Sequence, residues 1–164
     1  MSAKAAVERP ALVILVAEDD PNDVLLLKRA FSKADIGASL FFVSNGQEAI
    51  NYLRGEPPFD NRADCPFPNV LLLDLNMPAV NGLEVLEWLA SRPERASLVV
   101  VMFSSCMAPT DRRQAAVLGA HSCMTKPLNP CALLPLLSEL SSNSGPERRT
   151  LGQENCPPQV RSSS

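Results

Sequence analysis

The chain has 164 residues, 46% of them hydrophobic, which allows one domain of ordinary size with a full core. Fifteen Lys and Arg against eighteen Asp and Glu give a net charge of −3, and the basic residues are scattered, with pairs such as Arg112-Arg113 and Arg148-Arg149 too short for a phosphate-binding stripe. This excludes nucleic acid and an anionic membrane as expected partners.

No apolar run approaches the length of a membrane span, and residues 1–10 lack the apolar core of a signal peptide, so a cytoplasmic protein is expected. The five cysteines are odd in number and contain no CxxC spacing. With His121 as the sole histidine, a zinc site is not expected, and the cysteines read as reduced packing residues.

Residues 12–17 form an apolar run, read as a buried strand, that ends in Glu18-Asp19-Asp20-Pro21. Three adjacent carboxylates repel one another, and nothing local neutralises them. They form either a solvated acidic turn or a cation site. Asp20-Pro21 also starts a helix, with Asp as N-cap and Pro in the first turn. Val24, Leu27, Ala30 and Phe31 then carry its apolar face to about Ala34.

Residues 40–43 predict a short strand, Ser44-Asn45-Gly46 a turn, and 47–53 a helix. Residues 54–69 hold Gly55, Pro57, Pro58, Pro66 and Pro68 and predict a loop longer than a compact α/β domain needs. The run Val70-Leu71-Leu72-Leu73-Asp74 predicts a strand buried on both faces. Pro78 cannot continue a ladder, so the strand stops near Asp74. Asp74 thus sits at the carboxyl end of a central strand, where open α/β sheets bind ligands. Read alone, it is equally a capping or turn residue.

Asn81-Gly82 closes the next loop, and Leu83, Leu86 and Leu89 predict a helix ending by Arg92-Pro93. Residues 98–103 predict another buried strand, followed by Ser104-Ser105. Thr110 opens a helix through Leu118, capped by Gly119. Residues 121–125 give the weakest strand pattern and end in Lys126-Pro127. Asn129-Pro130 starts the last helix, with Leu133, Leu136, Leu137 and Leu140 inward. Pro135 predicts a kink or a ragged start there. From Ser142 the composition turns to Ser, Pro, Gly, Asn and Arg, and 142–164 is expected to be disordered.

Five β-α repeats with right-handed crossovers predict an α/β fold, a doubly wound five-stranded parallel sheet. The expected organisation is an N-terminal extension at 1–10, one domain at 11–141 and a tail at 142–164. Parallel strands bring Glu18-Asp19, Asp74, Ser104 and Lys126 to one edge of the sheet. Carboxylates crowded there demand a cation, and oxygen-only ligands suit Mg2+. A hydroxyl and an ammonium complete a site for a doubly charged oxyanion.

These residues resemble the receiver domains of two-component response regulators. The resemblance covers about 11–140 and rests on several separated motifs in order: Glu18-Asp19 after the first strand, Asp74-x-x-Met77-Pro78-x-x-x-Gly82, the strand-end Ser104, and Lys126-Pro127. It implies the flavodoxin-like receiver fold, with Asp74 as phospho-acceptor from a histidine kinase phosphohistidine. It also implies that Asp19, Asp74 and the Asn76 backbone carbonyl bind Mg2+, with Glu18 acting through water. Ser104 would bond the phosphoryl oxygen and Lys126 would pair with it. The Asp20-Pro21-Asn22-Asp23-Val24 start and the long Pro-rich loop look like the phytochrome-associated single-domain regulators. A sensor histidine kinase, of phytochrome type, is then the expected partner.

Two positions depart from the family pattern. Cys123 stands where an aromatic switch residue is usual, so output must use backbone and loop movement. Cys106 stands where a polar side chain often tunes hydrolysis. A competing reading is a Mg2+-dependent phosphohydrolase of the haloacid-dehalogenase type. Such enzymes want a second Asp two positions after the nucleophile, where this chain has Asn76. A third reading, a scaffold never phosphorylated, is disfavoured by the complete set of residues. The chain is thus expected to be a signalling module that catalyses only its own phosphorylation and dephosphorylation. The surplus of leucine in the last helix, Leu134 above all, either lies under the C-terminal tail or, as expected here, forms a homodimer face with the preceding strand and helix.

Overall fold

The structure is a computed structural model and describes residues 12–142. Five strands alternate with five helices: β1 (Leu12–Ala17), α1 (Pro21–Ala34), β2 (Ala38–Val43), α2 (Gly46–Arg54), β3 (Val70–Asp74), α3 (Gly82–Ala90), β4 (Val99–Ser104), α4 (Pro109–Leu118), β5 (Ser122–Thr125) and α5 (Leu134–Ser142). All neighbours in the sheet are parallel, in the order β2-β1-β3-β4-β5. This is the five-stranded doubly wound sheet that the β-α repeat predicts. The predicted extension at 1–10 and the tail lie outside the described residues, except Ser142, which ends α5.

The sheet separates two apolar layers, because alternate side chains of a strand point to opposite faces. Ile14, Val16, Val70, Leu72, Val99, Val101 and Phe103 meet Leu27 and Phe31 of α1 and Leu133 on one face. Leu15, Leu71, Leu73, Val100 and Met102 meet Ile50 and Leu53 of α2, Val85, Leu86 and Leu89 of α3 and Ala115 of α4 on the other. Each buried Leu or Val contributes about 1.5–3 kcal/mol over exposure. Strands β3 and β4 are buried along their whole length and β1 all but Leu12; β5 is nowhere fully buried. That is why the central strands read as apolar runs and the edge strand β5 reads weakly.

Several boundaries differ from the sequence expectation. Pro93–Ser97 forms a 3-10 turn after α3, so Leu98 closes that turn and β4 starts at Val99. Helix α4 begins at Pro109 rather than Thr110, with proline in its first turn. Asn129 caps a 3-10 turn at Pro130–Leu133, and α5 starts only at Leu134. Pro135 therefore lies in the first turn of α5, where no N–H is needed, and marks the ragged start that is one of its two expected outcomes. Leu133 is buried and Leu136 and Leu137 pack on the α1-side core, whereas Leu134 is 47% exposed. The side chain of Leu140 is outside the described set.

The long loop between α2 and β3 is tied down by Arg62. Its guanidinium donates to the carbonyls of Tyr52 (2.9 Å), Leu53 (2.9 Å) and Cys65 (3.2 Å), capping the C-terminal end of α2. The Tyr52 hydroxyl donates to the Pro66 carbonyl at 3.0 Å. Asn69 then feeds the chain into β3, its side-chain oxygen accepting from Val13 N–H at 2.8 Å.

Candidate functional site

Strand register brings the polar residues together. Ala17 pairs with Leu73, Asp74 with Phe103, and Ser104 with Thr125. Each strand carries its polar residue at or just past this line, so Glu18, Asp74, Ser104 and Lys126 emerge at the same edge. The chain turns from β1 to one neighbour and from β3 to the other, so this edge is also the switch point of the sheet.

Asp20 caps α1, accepting from Asn22 N–H at 2.8 Å, with Pro21 in the first turn, as predicted. That start turns the chain sharply and leaves Glu18 and Asp19 at the strand end. On the other side, Gly82 opens α3 directly over β3. A Cβ there would lie 2.4 Å from the Asp74 carbonyl oxygen, so only glycine lets the loop close this tightly. Asn81 and Glu84 form a capping box that fixes the same turn.

The result is a depression of about 200 Å3 lined by Glu18, Asp19, Asp23, Asp74, Ser104 and Lys126, among others, with Asn76 at its edge. One carboxylate oxygen from each of Glu18, Asp19 and Asp74 lies within 4.8 Å of the others. The Lys126 ammonium stands among the carboxylates, 2.6 Å from Glu18 Oε2, 2.8 Å from Asp23 Oδ2 and 3.1 Å from Asp74 Oδ2. The Glu18 contact is the shortest of the three and buries Oε2 directly against the ammonium. Asn76 N–H donates to Asp74 Oδ1 at 3.3 Å, and Asp20 N–H to Glu18 Oε1 at 3.0 Å. The buried Ser104 hydroxyl donates to the Cys106 carbonyl at 2.9 Å.

Burial pushes the Glu18 carboxyl up to about 7; Lys126 and the Asp20 amide pull it down, and the nearby Asp74 charge adds to the rise. Burial alone would lower the Lys126 ammonium. The bonds to Asp23, Glu18 and Asp74 outweigh it and hold the ammonium above its usual range. Lys126 is therefore a fixed positive charge, and Glu18 a carboxylate that lacks full neutralisation. Three carboxylate oxygens within 4.8 Å of one another, with a single ammonium shared among Glu18, Asp23 and Asp74, suit a hard cation bound through oxygen and water.

The site contains one residue the sequence did not disclose. Asp23, in the first turn of α1, joins Lys126 from 103 positions away. An acidic residue there reads as a complement to the helix dipole, and only the closure of the sheet edge gives it a partner. His121 lies elsewhere: its Nδ1 accepts from Val100 N–H near the start of β4, away from the carboxyl edge. Cys123 packs into the core on the α2–α4 side, where burial raises its thiol pKa against the pull of Arg112.

The comparisons with known proteins agree with this geometry. The response regulator receiver domain model matches residues 14–138. Response regulator Rcp1 of Synechocystis sp. is 28% identical over 133 residues, covering 81% of this chain and 88% of that one. The Mn(2+)-bound form of Rcp1 aligns over 80% of this chain and 93% of that one at 26% identity, with a TM-score of 0.65. Response regulator RPA3017, described in red light signaling of R. palustris, is 32% identical over 85% of this chain and 99% of that one, with a TM-score of 0.66. The bacteriophytochrome response regulator AtBRR is 28% identical over 86% of this chain and 100% of that one, with a TM-score of 0.70. The match runs from Ile14 in the first strand to Ser138 in the last helix and takes in every polar strand end, and the chain belongs to the family of response regulator receiver domains.

Proposed function

We propose that this receiver domain is a phosphorylation switch that accepts a phosphoryl group on Asp74 from a phosphohistidine of a sensor histidine kinase. The observation that carries the reading is the Lys126 ammonium 3.1 Å from Asp74 Oδ2, at a strand end crowded with carboxylates. Phosphoryl transfer asks a protein for a nucleophile, an in-line donor and charge neutralisation. An Asp74 carboxylate oxygen attacks phosphorus; the phosphorus–nitrogen bond to the imidazole breaks, and an acyl phosphate forms. Lys126 and the Ser104 hydroxyl then bond phosphoryl oxygens. For Ser104 this means leaving the Cys106 carbonyl. Hydrolysis by water later returns Asp74 and inorganic phosphate, so the protein catalyses only its own modification.

Glu18, Asp19, Asp74 and the Asn76 backbone carbonyl are the residues that would hold Mg2+. The ion supplies positive charge that offsets carboxylate repulsion and the charge of the phosphoryl oxygens. The kinase we infer is of phytochrome type, because AtBRR is a bacteriophytochrome response regulator and RPA3017 belongs to red light signaling. Both partners would meet in the cytoplasm; among the described residues no helix is long and apolar enough to cross a membrane. Output passes through protein contacts, including a homodimer face at β5 and α5 around Leu134. With Cys123 in place of an aromatic, loop and backbone movement carries the signal.

Acetyl phosphate with Mg2+ should add the mass of one phosphoryl group to the chain, and Asp74→Asn should take up none while keeping its fold. Label on Asp74→Asn at a level comparable to the parent would refute the assignment.

A further inference from the structure

We propose that Asp23 is the resting-state holder of Lys126, a positioning residue that phosphorylation of Asp74 releases. The inference rests on the proposed phosphorylation and adds to it the choice of which contact breaks.

An ammonium has three N–H donors and no acceptor. Here it faces three carboxylates, with Glu18 at 2.6 Å, Asp23 at 2.8 Å and Asp74 at 3.1 Å. A phosphoryl group brings close to two negative charges. To bond it, Lys126 has to give up a partner. The three are unequal. The Glu18 side chain has no exposed surface, so releasing it strands a buried charge. Asp74 is not released at all: its charge moves onto the phosphoryl oxygens, and the ammonium follows. Asp23 is 29% exposed, so water takes over the bond it loses. It also lies in the first turn of α1, where the helix dipole favours a free carboxylate. Asp23 is therefore the contact surrendered.

The consequence reaches beyond the site. Asp23 and Lys126 share the rim of a groove of about 490 Å3, between α1 and residues 126–128, with Leu26, Leu27, Phe103 and Leu128 as its apolar wall. In the resting state the ion pair ties α1 across this rim to the segment after β5. Phosphorylation unties it and leaves a bare carboxylate at the groove mouth.

Two measurements on the full chain test this. The first is a double-mutant cycle of Asp23→Asn and Lys126→Ala by denaturant unfolding without metal. The expected coupling is about fivefold in the unfolding constant. The second is binding of beryllofluoride, a phosphoryl analogue, at saturating Mg2+. A residue that stabilises only the unbound state opposes binding by the same factor, so Asp23→Asn should tighten it about fivefold. In a Lys126→Ala background the same substitution has no ammonium to release and should change binding less than twofold. No coupling in the cycle overturns the holding contact. Equal effects of Asp23→Asn in the parent and Lys126→Ala backgrounds, or weaker binding by Asp23→Asn, overturn the release. A parent chain that binds no beryllofluoride overturns the release together with the phosphorylation reading, and the metal-free cycle then judges the holding contact by itself.

Discussion

The Lys126 ammonium stands 2.6 Å from a Glu18 carboxylate with no exposed side-chain surface, and one ammonium is shared with Asp23 and Asp74 as well. The charge balance of the edge is thus negative without a further cation. Folded Glu18 holds its proton up to a pKa of about 7, above its ordinary 4.5. The native state binds this proton more tightly than the unfolded chain. Its contribution to stability is complete below about pH 4.5 and is lost as pH rises through about 7. Glu18→Gln keeps the acceptor for Asp20 N–H and removes the charge. At pH 8 without metal it should be more stable than the parent by roughly 1–3 kcal/mol, and the loss between pH 4.5 and 7 should flatten. Urea unfolding across pH reads both. A less stable Glu18→Gln at pH 8 would show the ammonium, not burial, to dominate.

Lys126→Ala removes the counter-charge from three carboxylates at once. Metal-free stability should fall by roughly 3–5 kcal/mol, the usual result of leaving buried charge uncompensated. Mg2+ should recover a large part of that loss by binding the folded state. The variant should still take up some phosphoryl group on Asp74 but fail to pass the change to α5 and β5. Thermal melts with and without Mg2+, and amide exchange of β5 before and after phosphorylation, check each half. A melt of Lys126→Ala that Mg2+ leaves unmoved would speak against the cation site.

The parts of this molecule legible in the sequence are those with both faces buried. Strands β1, β3 and β4 read as apolar runs because no solvent face interrupts them. Their polar ends, Glu18, Asp74 and Ser104, stood out for the same reason. Lys126 was legible through its proline and its place after a strand. Asp23 was not, since its partner lies 103 positions away and its local role as a first-turn acid is complete without one. The loop after α2 looked excessive because the Arg62 guanidinium that ties it to the carbonyls of Tyr52 and Leu53 is a tertiary contact. The start of α5 was misplaced because Pro130 and Pro135 both suit a first turn, and packing of Leu133 decides between them.

Gly82 sets the distance between α3 and the carboxyl end of β3. A Cβ there would lie 2.4 Å from the Asp74 carbonyl oxygen and 2.8 Å from Met102 Cε. Met102 is a flexible chain, but the Asp74 carbonyl belongs to a buried central strand. Gly82→Ala should therefore destabilise by roughly 1–3 kcal/mol, the range for overpacking, and shift Asp74 within the site. Its melting temperature should drop, and it should need more Mg2+ for the same gain in stability. An unchanged melt would mean that α3 slides away from the strand at little cost.

The last prediction concerns assembly. Leu133, Leu136 and Leu137 are used by the core, which leaves Leu134 at the start of α5, 47% exposed. On α4, which packs on the opposite face of the sheet, Val117 is 86% exposed. Two exposed apolar side chains on the two helices that flank the edge strand β5 in the chain suit a two-fold contact along that edge, the commonest arrangement of identical subunits. Charges buried in such a contact are costly, so Leu134→Asp should weaken it while leaving the fold intact. Because Ser104 and Lys126 end the two strands beside this face, a phosphoryl analogue at Asp74 should change the dimer affinity of the parent chain. Light scattering over a concentration series, with and without the analogue, reads both effects. A parent chain that stays monomeric at every concentration in both states removes the dimer and leaves Leu134 and Val117 as isolated surface residues.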